Sequence, residues 1–239
     1  MKIENVDIKI VGNAAVISLP QMDGSRMSKT VSLQTLVKAF QENASGIETP
    51  VLPFGAIKYK ERGNTSILAV YHEPTSFTAR FDGDLSESTQ AVYRGGDGIC
   101  TFENVKRGGI VMVYYLCKNS NGTFSMSDTR CYGIKDHPLT FNDNTECFMV
   151  PFPNVGKDNG WVCWGDNRVG GEYRSLCGFR SFADILFNSK FNNDLFDNRI
   201  LRGFDINHPI DLFVKLQGLE SFPDEYLIMP GAPITLGGF

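Results

Sequence analysis

Cys163 closes the segment Pro153-Asn154-Val155-Gly156-Lys157-Asp158-Asn159-Gly160-Trp161-Val162-Cys163 and is the side chain in this 239-residue sequence with the clearest chemical potential. A thiolate is strongly nucleophilic even when only a small fraction is ionised at neutral pH, so a cysteine can hold an acyl group as a labile thioester. Asn159-Gly160 suits a tight turn, because glycine adopts backbone angles closed to other residues, and such a turn would present Cys163 at a surface groove. Lys157 and Arg168 would favour the thiolate if they stood close to it, and Asp158 and Asp166 would oppose it. Sequence position alone gives no net sign.

The other groups that could do chemistry are scattered. The six cysteines, at 100, 117, 131, 147, 163 and 177, include no CxxC pair of the kind that binds zinc or cycles as a dithiol. Free thiols are expected in a chain without an export signal. Cys117 follows the apolar run Ile110–Leu116 and is expected in the core. Three histidines, His72, His137 and His208, leave open a protease-like pairing with Cys163, although each sits at an expected turn or strand end. Gly95-Gly96-Asp97-Gly98 lacks the Gly-Lys-Ser/Thr ending of a phosphate-binding loop, and no dinucleotide fingerprint follows a strand. No metal, nucleotide or organic cofactor is therefore expected. Gly237-Gly238-Phe239 resembles the diglycine tail of a small modifier, but the chain is far larger than one.

Composition narrows the class further. With 42% hydrophobic and 21% charged residues, the chain can fold around a packed core. At this length it buries roughly 70–75% of its unfolded surface, without needing a disulfide or metal staple. The net charge of -4 gives no long-range attraction to a phosphate backbone, so direct nucleic-acid binding is not expected. Acidic residues interrupt the start, Met1-Lys2-Ile3-Glu4-Asn5-Val6-Asp7, where a signal peptide would be apolar. No apolar run reaches the ~20 residues that span a bilayer. A cytoplasmic location, with no membrane binding, is the expectation.

The elements that must position Cys163 are mostly strands. Val6–Val11 and Ala14–Leu19 flank Gly12-Asn13 as a hairpin. After Ser28–Thr30, the spacing of Leu33, Leu36, Val37 and Phe40 predicts an amphipathic helix that ends by Asn43–Gly46. Strands are expected at 56–60, 66–71, 77–81, 98–102 and 109–117, then at 123–126 with a continuation at 130–134; the turn residues between them favour antiparallel pairing. Phe179, Phe182, Ala183, Leu186 and Phe187 give Gly178–Phe191 a helical apolar stripe, and a further apolar stretch runs over Ile210–Leu216. The expected architecture is α+β: a β-rich accessory region with one helix over residues 1–89, then a second region over 90–239 whose antiparallel sheet packs on helices.

The central segment also resembles the active-site signature of ubiquitin-conjugating (E2) enzymes, in which His-Pro-Asn is followed by an Asn-Gly turn and a catalytic cysteine. The more specific similarity is to bacterial E2-like family D, including protein B of the cassette that encodes ParB-related and ThiF-related proteins. It rests on Leu52-Pro53 before the early sheet, on Pro151-Phe152-Pro153-Asn154-Val155 leading to Gly160-Trp161-Val162-Cys163, and on Phe182–Phe191 downstream. The resemblance implies an E2-like (UBC-like) fold over residues 90–239. It implies a carrier or conjugation protein that takes a ubiquitin-like modifier as a thioester on Cys163, with a ThiF/E1-like activating enzyme, a small ubiquitin-like protein and an amine acceptor as partners. Asn154 would then stabilise the developing oxyanion, where the alternative is that it caps the loop. Asp166 would orient or deprotonate the amine, where the alternative is a solvated loop charge.

Phe152 stands in place of the family's histidine, the span from Asn154 to Cys163 is one residue longer than usual, and Trp164 replaces an aliphatic residue. These departures motivate the alternative of a non-catalytic E2-fold scaffold in a mobile-element or plasmid-associated complex.

Overall fold

The computed structural model describes residues 7–20, 25–36, 50–85, 93, 95–135, 138, 140–196 and 201–239. It divides into two compact units, Met1–Thr49 and Pro50–Phe239.

In the first unit, β1 (Asp7–Val11), β2 (Ala14–Pro20) and β3 (Arg26–Ser32) form an antiparallel meander in that order. The expected hairpin is present, with Gly12 at φ +61° in its turn. Ser28–Thr30, expected to lead into a helix, instead lies inside β3, where the register Ala14↔Ser32 to Pro20↔Arg26 supplies backbone partners that a helix start would forgo. Residues 33–36 are helical; Val37, Phe40 and Asn43–Gly46 lie outside the described residues.

The second unit is built on a seven-stranded antiparallel sheet. Its main path joins β4 (Ala56–Arg62), β5 (Thr65–His72), β8 (Gly109–Lys118), β9 (Phe124–Ile134), β10 (Glu146–Met149) and β13 (Ile234–Thr235), while β11 (Glu172–Tyr173) pairs with the far end of β9. A smaller sheet holds β6 (Thr75–Phe81) between β7 (Cys100–Arg107) and the two-residue parallel strand β12 (Lys190–Phe191).

The pairing of β5 with β8 joins residues 65–72 to residues 110–117. The boundary expected at 89/90 therefore falls inside the second unit, and the contact division lies between Thr49 and Pro50. The stretches at 123–126 and 130–134 form the single strand β9, interrupted only by a register shift opposite Tyr115/Leu116.

Strand alternation explains the two-sided core. On β5 and β8, Leu68, Val70, Ile110, Met112, Tyr114 and Leu116 enter one apolar cluster, while Ala69, Tyr71, Val111 and Val113 enter another. A strand covered on both faces reads as the unbroken apolar run seen at Ile110–Leu116.

On the first face, Phe182 of α1 (Phe182–Asn188) meets Tyr114 edge-on, while α2 (Pro209–Gln217) packs on the smaller sheet, with Phe213 against Phe81, Phe102 and Phe191. Phe182, Ala183, Leu186 and Phe187 form the buried stripe of α1. The helix expected to run to Phe191 stops at Asn188. Ser189 Oγ donates to the Leu186 carbonyl at 2.6 Å, and its backbone turns to ψ 167°, feeding Lys190–Phe191 into pairing with β6. At the start of α2, His208 Nδ1 accepts the Ile210 N–H at 3.3 Å and Asp211 accepts the His208 N–H at 2.9 Å; Pro209 follows the cap. Among the described residues, no helix is long and apolar enough to cross a membrane.

Candidate functional site

Cys163 is held on a short hairpin docked against the outer edge of β9. Asn159 Oδ1 accepts the Trp161 N–H at 3.0 Å, and Gly160 sits at φ +70°, so the expected Asn-Gly turn forms. Val155 and Val162 face each other as an antiparallel bridge, and the Cys163 N–H donates to the Asn154 carbonyl at 2.9 Å. Docking uses the Gly160 carbonyl, which accepts the Cys131 N–H at 2.8 Å, and the Val162 N–H, which donates to the Thr129 carbonyl at 3.0 Å. Tyr132 Oη adds a 2.8 Å bond to the Asn159 carbonyl. Four of these contacts fix the hairpin to itself or to β9 through the main chain, so the position of the cysteine backbone follows from the sheet.

A groove of about 430 Å³ opens between this hairpin and β9, and Cys163 lines it together with Met126, Asp128, Trp161, Trp164 and Val169. The thiol residue is half-buried, whereas Cys100, Cys131 and Cys147 are buried. Burial pushes the Cys131 and Cys147 thiols up to about 12, despite the Arg107 charge acting downward on Cys131. Cys177 is exposed, with Sγ 3.5 Å from the Val51 carbonyl.

Cys117 is half-buried at the end of β8, where a core position was expected. The burial of β8 fades beyond Leu116, so its last two residues leave the core.

Asn154 is 7% exposed and turns its amide away from the groove. Its Nδ2 donates to the Lys190 carbonyl at 3.0 Å and to Ser189 Oγ at 3.3 Å. Both N–H groups thus have internal partners at the junction of α1 and β12. Phe152, at the position of the family histidine, is 2% exposed and packs edge-on against Phe77 and Phe187.

Asp166 is exposed and lines a different depression of about 450 Å³, with Arg80, Asp82 and Lys190. Trp164 and Gly165 border both depressions. Gly165 takes φ +52°, and Asn167 donates its backbone and side-chain N–H groups to the Trp164 carbonyl at 3.0 and 2.7 Å. This turn carries Asp166 past the indole, which itself rests edge-on against Phe182.

The acid that shares the groove with Cys163 is Asp128, which lies far from it in sequence and carries no motif. Lys157 and Arg168 do not line this groove, and neither do His72 and His208. His72 is buried at the end of β5 and His208 caps α2, while His137 lies outside the described residues. Gly237-Gly238-Phe239 is docked: the Gly237 N–H donates to the Asp143 carbonyl at 2.8 Å, and the Phe239 ring stacks on Tyr132. Among the described residues, no three His, Cys, Asp or Glu side chains come together as a metal site.

Compared with known proteins, the chain matches no family model, no curated protein sequence and no solved structure.

Proposed function

We propose that this chain is an E2-like carrier that accepts a ubiquitin-like modifier as a thioester on Cys163. The observation that carries the reading is the half-buried Cys163 at the wall of an open groove, on a hairpin fixed by main-chain hydrogen bonds. A thioester carrier needs a thiol that a macromolecular donor can reach and that does not wander once loaded. An antiparallel sheet packed on helices also supports an E2-like assignment, as a generic likeness of architecture.

The partners are a ThiF/E1-like activating enzyme and a small ubiquitin-like protein. In loading, the Cys163 thiolate attacks the carbonyl of the donor thioester. The new C–S bond replaces the bond to the donor cysteine, whose thiolate leaves and takes a proton. In discharge, an amine nitrogen attacks the Cys163 thioester, the C–S bond breaks, and the amine loses a proton as Cys163 regains one.

Intact-mass spectrometry of wild type and Cys163→Ala tests this after incubation with an E1-like protein, its modifier, ATP and Mg²⁺. A thiol-sensitive adduct of modifier mass on wild type alone is expected. No adduct, with charging of the E1-like protein demonstrated in the same reaction, overturns the carrier reading.

A second reading, a non-catalytic scaffold in a mobile-element or plasmid-associated complex, is favoured by one observation: the Asn154 amide is committed to Lys190 and Ser189. It predicts partner binding that survives Cys163→Ala.

A further inference from the structure

We infer that the segment Ile234–Phe239 is a strap whose opening controls the reactivity of Cys163 through Tyr132. The inference concerns the thiol itself and stands whether or not Cys163 carries a modifier.

The strap begins as β13 at one end of the main sheet and is met by side chains of β4, the strand at the other end. Lys58 Nζ donates to the Leu236 carbonyl at 2.6 Å and to Asp143 Oδ1 at 3.2 Å, and Lys60 Nζ donates to a Phe239 main-chain oxygen at 3.0 Å. Leu236 and Phe239 turn inward and join Val111, Val113 and Tyr132 in the second apolar cluster. The strap thus covers part of the sheet face opposite α1.

Its hold on the sheet is short. β13 has two register pairs with β10, the Leu236 N–H donates to the Thr145 carbonyl at 3.0 Å, and the Gly237 N–H donates to the Asp143 carbonyl at 2.8 Å. Gly231 to Pro233 before the strap and Gly237-Gly238 within it are exposed. A segment with so few bonds opens at a lower cost than the strands beneath it.

Tyr132 joins the strap to the thiol. Its buried ring stacks on Phe239, with centroids 5.3 Å apart and planes at 27°. On its other side, Tyr132 Oη donates to the Asn159 carbonyl at 2.8 Å, and the ring lies so close to Gly160 that a Cβ there would come within 2.8 Å of it. Asn159-Gly160 is the turn of the hairpin that carries Cys163. With the strap seated, Phe239 fixes the ring and the hydroxyl holds the turn. When the strap opens, the ring loses that support, the bond to Asn159 weakens, and the hairpin opens more often. Such coupling is reciprocal, so a load that lifts the hairpin also loosens the strap.

The cysteines report each step separately. Cys147 pairs with Ile234 and is buried in the strap-side cluster, Cys163 marks the hairpin, and Cys100 lies in the cluster on the opposite face. The test follows alkylation by iodoacetamide in the folded protein, site by site by peptide mass, with exposed Cys177 as the internal reference. Tyr132→Phe, which keeps the ring and removes the hydroxyl, should speed labelling of Cys163 about fivefold, the loss of one hydrogen bond. Phe239→Ala should speed Cys147 by roughly tenfold, because a buried ring is lost. It should also speed Cys163 by about two- to fivefold, through the weakened hydroxyl bond, and leave Cys100 protected. Gly237→Ala, whose Cβ would lie 2.8 Å from the Asp143 carbonyl oxygen, should act in the same direction while keeping the Phe239 ring. Adding Phe239→Ala to Tyr132→Phe should free Cys147 and add nothing further at Cys163. The coupling is overturned if Cys147 stays protected in both strap variants, if Cys163 keeps its wild-type rate while Cys147 is freed, or if Cys100 accelerates in step with them. A further gain at Cys163 in the double variant overturns the route through the Tyr132 hydroxyl.

Discussion

The Cys163 N–H donates to the Asn154 carbonyl at 2.9 Å, while the Asn154 side chain runs the opposite way, to the Lys190 carbonyl at 3.0 Å. One residue thereby ties the hairpin that bears the thiol to the point where α1 gives way to β12. Its main chain fixes Cys163, and its side chain fixes the ground beneath.

Asn154→Ala should consequently act on stability first. Removing the amide leaves Ser189 Oγ, in a buried setting, and the Lys190 carbonyl, in a partly buried one, without this donor, at a cost of about 1–3 kcal/mol. Urea denaturation should show a lower midpoint with an unchanged slope. An unchanged midpoint, combined with a slower discharge of Cys163, would instead mean that the amide acts on the thioester.

Gly160→Ala addresses the docking of the hairpin. A Cβ there would lie 2.8 Å from the Cys131 carbonyl oxygen and 2.8 Å from the Tyr132 ring, on a backbone at φ +70°. The backbone contact has no flexible side chain to yield, so the hairpin must lift from β9. A loss of about 1–3 kcal/mol is expected. Hydrogen exchange should locate the damage as faster exchange at the Cys131 amide, which donates to the Gly160 carbonyl in the wild type. Native protection at Cys131 in the variant would contradict the docking account.

Legibility in the sequence followed the range of the interactions. The run Ile110–Leu116 reads directly as a strand because its side chains meet apolar neighbours on both faces. The Asn159-Gly160 turn is equally local and reads directly from its residue types. The end of α1 does not, because the apolar stripe of Phe182 to Phe187 continues smoothly to Phe191; only the pairing of Lys190–Phe191 with Arg80–Phe81 interrupts it. Likewise, the pairing of β5 with β8 carries the second unit back to Pro50 across a polar stretch that reads as a boundary. At the site, sequence proximity draws attention to Asp166, three positions from Cys163, whereas the turn at Gly165 separates their depressions and β9 brings Asp128 in.

Thiol reactivity should follow burial. Exposed Cys177 and the half-buried Cys117 and Cys163 are expected to label first at neutral pH, ahead of Cys100, Cys131 and Cys147. For Cys131 and Cys147, desolvation also pushes the thiols up to about 12, from an ordinary value of 9, which suppresses the thiolate. Because these folded-state values are raised, their contribution to stability is intact below about pH 9 and is lost as pH rises toward 12. Site-resolved labelling with and without urea checks the order. Labelling of Cys131 at the rate of Cys163 in the folded protein would refute it.

His72 makes the opposite pH prediction. Burial first, then the Arg107 and Arg180 charges, push its imidazole down from 6.5 to about 3. A depressed folded value means that the unfolded chain binds the proton more readily. The neutral imidazole contributes fully above about pH 6.5, and its contribution falls as pH drops from there toward 3, by about 1.4 kcal/mol per pH unit. His72→Gln removes this titration while keeping a polar side chain. Urea melts of the two proteins between about pH 7.5 and about pH 4.5 should show the wild type losing stability more steeply by that increment. Parallel curves would mean that His72 takes up its proton without unfolding the sheet end, and that the Arg107 and Arg180 charges do not reach it.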